Sequence, residues 1–428
     1  MKTKFPFFLT FLLVNFLVVP LRAGDDADVQ TVEAAERALW NVSWERFFVP
    51  QTHIFYDYLT SWEPGQWQKH LPTPEEIQKS VPNEFGYDTG MEDGMIFAGT
   101  WMEGILARAK TAKTAEEKAE MKRCAHEILL GVKLCTTVHS DPGFVARAVC
   151  PTDGKSVYPG TSRDQYTHAV HGLWHYSVSD LCDQNELEEI AAVLSLIADR
   201  MIRTVTPANR YDSLNLDGKP NSRGIAKMWD VAPHEAARLP MIYAAAWDVC
   251  RRSSNAGLKQ KSETYYAEYR KYIAPAVEQS LNAEALQNVA GWAMLQAQAS
   301  LELLRLLETD PVLRQKMEQT MEILFDVAAK RLQWAENDSK GLEMEFLFKD
   351  WRVEGGGIPW ATPCRKIWYN PRQTGEAAMT QLLCPTREFP AESRELLRRA
   401  ILRLNPDRVA TSGIFYLVAA WEMEKAKP

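Results

Sequence analysis

The stretch DQYTHAVHGLWHYSVSDLCDQNELEEIAAVLSLIADRMIRT, residues 164–204, decides the fold. Its apolar residues recur at steps of three and four, which is the period of one helix face, and strand-like alternation is rare. The spacing predicts helices over 164–182 and 186–204, joined by a short turn. So short a link makes the two helices an antiparallel hairpin.

Working outward, the same period recurs along the chain. It predicts helices near 30–47, 94–110, 117–138, 234–253, 259–277, 288–308, 310–333, 371–384, 391–404 and 411–425. Short turns also join 94–110 to 117–138, 288–308 to 310–333, and 371–384 to 391–404. Between the hairpins lie long segments rich in Gly, Pro and aromatics: 48–93, 139–163, 205–233 and 334–370. Long links of that kind inside a compact protein usually carry function. Helices such as 259–277 and 391–404 are strongly charged on one side, whereas 234–253 and 288–308 are rich in Ala and other small apolar residues. The first kind suits an outer layer and the second an inner one. Six inner and six outer helices in alternation predict an all-α fold, an (α/α)6 toroid of six helical hairpins. An open solenoid is the rival layout, and the lack of a fixed-period repeat disfavours it.

The first residues stand apart from this fold. Lys2 and Lys4 precede an apolar run from Phe5 to Leu21, interrupted by Thr10 and Asn15, and Leu21-Arg22-Ala23 offers a small residue for cleavage. That is the layout of a secretory signal peptide over residues 1–23. The competing membrane-anchor reading is weakened by a run near the lower limit for a span and by Pro20 at its end. Residues 24–428 are then one secreted or periplasmic domain, with no membrane partner after cleavage. Losing Lys2, Lys4 and Arg22 takes the net charge from −7 to −10. So acidic a chain is a poor match for a nucleic-acid backbone. Fourteen Trp and fourteen Tyr in an exported chain favour sugar rings as ligands, because these stack on aromatic faces. The seven Cys include no C-x-x-C pair, so neither a redox motif nor a zinc ribbon is predicted.

In a toroid the N-termini of the inner helices gather at one end, and the long loops feed into them. Those N-termini expose free N–H groups and partial positive charge, which suit carboxylates and anionic ligands. Two constellations fall there. Asp88, Glu92 and Asp93 crowd the start of helix 94–110. A capping role explains any one of them. Crowding of like charges also raises one pKa, as a general acid requires. In the second constellation, Asp164, His168, His171 and His175 share one helix face, with Arg163, Gln165 and Tyr166 beside them. Three readings stand for the histidines: a satisfied core network, substrate contact with proton transfer, or a zinc site. The H-E-x-x-H glutamate is absent, so the expectation is substrate contact by His168 and His171, with no metal and no cofactor. Arg147, Tyr158, Trp229, His234, Trp360 and Arg372 lie on the loops or helix starts of the same rim, as candidates for sugar stacking and polar clamping.

Glu92-Asp93-Gly94-Met95-Ile96-Phe97 resembles the acidic segment of unsaturated glucuronyl and rhamnogalacturonyl hydrolases, members of the six-hairpin glycosidase superfamily. Ser162-Arg163-Asp164-Gln165-Tyr166, followed by Gly172-Leu173, is similar to their S-R-G-Q-A-W motif ahead of a Tyr-Gly. The two segments lie about seventy residues apart, as in that family. Asp164 and Tyr166 depart from its Gly and Trp, and the histidine stripe is not part of its pattern. The resemblance implies Asp93 as acid/base, with Arg163 and Gln165 binding substrate. Asp164 or Glu92 is then the base or a neighbour that tunes the acid. The expected activity is glycoside hydrolysis of a uronic-acid-containing oligosaccharide. Two alternatives stand: a polysaccharide lyase using Tyr166, the histidines and Arg163, and a non-catalytic glycan-binding protein.

Overall fold

The computed structural model describes residues 31–80, 92–344 and 363–427. Within them the chain is all-α, with β1 (Phe48–Val49) and β2 (Ile54–Phe55) forming a single antiparallel hairpin. The helices are α1 (Val32–Val42), α2 (Pro74–Lys79), α3 (Gly94–Thr111), α4 (Ala115–Thr137), α5 (Arg163–Val178), α6 (Gln184–Thr204) and α7 (Arg238–Arg252). They continue with α8 (Ala256–Ser280), α9 (Ala283–Leu286), α10 (Gly291–Leu307), α11 (Pro311–Ser339), α12 (Pro363–Leu382), α13 (Ala391–Leu402) and α14 (Ile414–Lys425).

Local chemistry sets the hairpin turns. Thr114 and Glu117 form a reciprocal capping box at the start of α4, and Asp183 and Glu186 do the same for α6. Each box satisfies helix N–H groups that otherwise lack partners. Proline marks two of the helix boundaries that differ from the sequence reading. Helix α7 begins at Arg238, four residues later than expected, and His234 and Glu235 belong to a separate single turn that starts at Pro233. That start keeps Pro240 in the first turn, where its missing N–H costs nothing. Helix α12 begins eight residues earlier than expected and carries Pro371 in its interior. A proline there forfeits one helix hydrogen bond, so tertiary packing overrides the local stop signal. Two further departures are the elements inside the 48–93 link, namely the β-hairpin and the capped helix α2.

Six helices are buried along most of their length or on most sides. They pack in succession, α3 on α5, α5 on α7, α7 on α10, α10 on α12, α12 on α14, and α14 back on α3. The more charged α4, α6, α8, α11 and α13 pack outside them. Close backbone approach fixes some of these contacts. A Cβ on Gly99 would lie 2.2 Å from the His168 carbonyl oxygen, and one on Gly172 would lie 3.0 Å from Gly99 Cα. Helices α3 and α5 therefore touch backbone to backbone. Gly375 serves α12 in the same way, since a Cβ there would lie 2.4 Å from Tyr416 on α14. Among the described residues, no helix is long and apolar enough to cross a membrane.

Candidate active site

The N-terminal ends of α3, α5 and α7 and the middle of α12 bring together charged side chains that are far apart in sequence. Asp93 occupies the N-cap position of α3, but its side chain makes no cap bond. Its Oδ2 instead accepts a hydrogen bond from Arg372 Nη1 at 2.7 Å, and Arg372 Nε donates to Glu376 Oε1 at 2.7 Å. One guanidinium thus bridges two carboxylates, and it also lies 5.2 Å from the centre of the Tyr416 ring. In the first turn of α5, Asp164 accepts a hydrogen bond from buried Arg238. The two groups are coupled, because the charge of Asp164 acts on Glu376 and that of Arg372 acts on His168.

Burial and charge drive these groups apart in acidity. Burial raises the Glu376 pKa above the ordinary carboxylate value, with Asp93 and Asp164 adding to the rise and Arg372 only partly offsetting it. Burial acts the same way on Asp164, but the charge and hydrogen bond of Arg238 more than reverse it, so its pKa is lowered. Burial, with neighbouring His171 second, pulls His168 down to about 3, which makes it a neutral imidazole at neutral pH. His234 is also lowered by burial.

The remaining residues expected at this rim divide into two groups. Arg163 is tied to the 224–235 segment. Its Nε donates to Glu235 Oε1 at 2.5 Å and its Nη1 to the Gly224 carbonyl at 2.7 Å. His234 sits beside Glu235 on the single turn leading into α7. Arg147 is buried, donates to the Glu92 carbonyl at 2.9 Å and lies 5.4 Å from the centre of the Tyr158 ring. Trp229 packs edge-on against Tyr272, with ring centres 4.7 Å apart. Gln165 and Tyr166 do structural work. Gln165 Nε2 donates to the Glu92 carbonyl at 2.7 Å and its Oε1 accepts from the Met95 N–H at 3.1 Å, which straps α5 to the start of α3. The fully buried Tyr166 hydroxyl accepts from the Val145 N–H and from Arg200. Asp88 and Trp360 lie outside the described residues.

The histidine stripe does not serve one place. Asp164 and His168 belong to the rim, but His171 and His175 lie further along α5, between two carboxylates. Glu103 of α3 stands on their Nδ1 side and Glu302 of α10 on their Nε2 side. Burial opposes charge here, but the paired charges dominate: Glu103 is lowered, Glu302 is held at about 2, and both imidazoles are raised. Glu103, His171 and His175 place ligand-type atoms within 4.8 Å of one another, so they are the described residues able to hold a metal.

No protein-family model matches the chain, and no curated protein matches it at a significant level. Sequence reasoning did not name Glu376, Arg238, Glu103 or Glu302 as site residues. The signal for the last two was a lone carboxylate within an apolar inner helix, in Trp101-Met102-Glu103-Gly104-Ile105 and Ser300-Leu301-Glu302-Leu303-Leu304. Such a charge is costly to bury without a partner.

Proposed function

We propose that the chain is an exported glycoside hydrolase of the (α/α)6-toroid type, acting on a uronic-acid-containing oligosaccharide. The closed succession of helix contacts supports the toroid. The apolar N-terminal run supports export to the periplasm or beyond. One observation carries the chemistry: Asp93 and Asp164, at the starts of α3 and α5, are held by Arg372 and Arg238, and Glu376 shares Arg372 with Asp93. Carboxyl groups brought together at one site are the usual arrangement for acid/base work on a glycosidic bond.

In this reading Asp93 protonates the substrate and Asp164 is the partner carboxylate. Glu376 is a positioning residue, which holds Arg372 and through it Asp93. Arg163 and the helix N-termini favour an anionic sugar. Elimination is the weaker reading, because the Tyr166 hydroxyl it would use is already engaged in the core. The test is digestion of a panel of neutral and acidic oligosaccharides, read by mass spectrometry and ultraviolet absorbance. Cleavage of acidic members with uptake of water supports the proposal. An absorbing unsaturated product points to a lyase, and binding without any product points to a glycan-binding protein; either result overturns it.

A further inference from the structure

The box of Glu103, His171, His175 and Glu302 is separate from the rim. Glu103 lies ten residues beyond Asp93 on the same helix, which is roughly 15 Å along its axis. The box opens onto a cavity of about 1100 Å³ among the C-terminal ends of α3, α5, α10, α12 and α14. Glu103, His175 and Glu302 line that cavity together with Trp174, Leu306 and Met423.

The two carboxylates do different things. Glu302 Oε2 lies 3.2 Å from His171 Nε2 and 3.0 Å from His175 Nε2, in hydrogen-bonding geometry with both. Donation of both Nε2–H groups to one carboxylate fixes the two ring orientations and turns both Nδ1 atoms the other way. On that side, Glu103 Oε1 lies 3.1 Å from His171 Nδ1 and 2.8 Å from His175 Nδ1. The hydrogen bond of His175 Nδ1 goes to the other oxygen, Glu103 Oε2, at 2.9 Å, and the buried Oε1 itself makes none of acceptable direction. The Glu103 and His171 side chains are more than nine-tenths buried. Glu103 Oε1 and the two Nδ1 atoms thus converge, and Oε1 is left without a hydrogen bond.

We propose that Glu103, through its carboxylate, and His171 and His175, through Nδ1, form a binding site for a zinc-type dication, with Glu302 as the carboxylate that orients both imidazoles. A tetrahedral zinc site with metal–ligand bonds of 2.0–2.2 Å separates its ligand atoms by about 3.3 Å. The Glu103–Nδ1 spacings of 3.1 and 2.8 Å need to widen by only a few tenths of an ångström. Two imidazoles with a carboxylate suit zinc better than magnesium or calcium, which prefer oxygen ligands. Carboxylate–histidine–metal relays of the kind Glu302 would provide commonly accompany such sites. Zinc binding through Nδ1 requires both imidazoles to be neutral, so it is accompanied by release of protons. Three protein ligands leave a fourth position for water or an anion beside the cavity. The inference does not depend on the proposed hydrolase activity, and its test does not read that activity.

The test is calorimetric titration of zinc chloride into the chelator-stripped full chain, in two buffers of different ionisation enthalpy. The expected result is one equivalent bound per chain at micromolar or tighter affinity, with release of protons and a higher melting temperature. Glu302→Gln keeps all three ligands but loosens the rings, and should weaken binding by about 10- to 100-fold with the helical circular dichroism unchanged. Failure of the folded, stripped wild type to bind an equivalent would overturn the site. So would unchanged affinity in a folded His171→Asn/His175→Asn double variant, which would place the zinc elsewhere.

Discussion

Asp93 and Arg372 are 279 residues apart in the chain, yet Asp93 Oδ2 accepts a 2.7 Å hydrogen bond from Arg372 Nη1. The contact joins the start of α3 to the interior of α12. It also sets the state of a third residue, because the same guanidinium holds Glu376. An aspartate that sequence position would assign to capping is instead one end of a carboxylate–guanidinium–carboxylate bridge.

Removing the centre of that bridge leaves Glu376 buried with no counter-charge. Arg372→Met should lower unfolding free energy by about 3 kcal/mol at neutral pH, as expected when one partner of a buried ion pair is deleted. Arg372→Lys should recover only part of this, because an ammonium cannot span two carboxylates as the guanidinium fork does. Urea unfolding of the three proteins measures the difference. Equal stability of wild type and Arg372→Met would show that the bridge contributes nothing net.

The raised pKa of Glu376 fixes the sign of a pH effect. Its folded-state value lies above its unfolded value, so the folded chain binds the extra proton between the two. Its contribution to stability is fully present below the unfolded carboxylate pKa and is lost as pH rises through the folded value. Glu376→Gln mimics the protonated form and should remove this fall. Thermal melts from mildly acidic to neutral pH should therefore show the variant gaining on the wild type as pH increases. Parallel curves would contradict the raised value.

The helix pattern was legible because burial of one face imposes a period that survives in sequence, as in residues 164–204. Boundaries were less so where a proline sits in an unusual place. Pro371 read as a helix start, but it is interior to α12 because packing outweighs one lost bond. The site was legible in its charges but not in their pairing. Asp93, Asp164 and Arg372 could be listed as rim candidates, but nothing local in sequence says that Asp93 meets Arg372 while Asp164 meets Arg238. The histidine stripe shows the same limit. Its spacing placed four residues on one face, and only the positions of Glu103 and Glu302 on other helices divide that face between two locations.

The contact between α3 and α5 tolerates no side chain at its centre. A Cβ on Gly99 would meet the His168 carbonyl at 2.2 Å, and backbone cannot step aside as a flexible side chain can. Gly99→Ala should destabilise by about 3 kcal/mol or more through overpacking, despite the better helix propensity of Ala. Gly172→Ala meets its nearest atoms at 3.0 and 3.1 Å and should cost less. Chemical denaturation midpoints at unchanged slope give the ranking, and the reverse order would indicate a different packing of these helices.

The functional assignment separates a residue that touches substrate from one that holds it in place. Asp93→Asn keeps the size of the side chain but removes its acid/base capacity. If Asp93 protonates the glycosidic oxygen or its equivalent, turnover should fall by about 100- to 10,000-fold, with circular dichroism and melting temperature close to wild type. Glu376→Gln should behave differently. Arg372 can still donate to the amide oxygen, so Asp93 stays in position and turnover should fall by only about tenfold. The pH profile should also shift, because the protonation of Glu376 no longer influences its neighbours. An Asp93→Asn protein with normal turnover on the cleaved acidic oligosaccharide would remove Asp93 from the chemistry. A Glu376→Gln loss as deep as that of Asp93→Asn would instead make Glu376 a proton donor in its own right, because the amide preserves the hydrogen bond but not the proton.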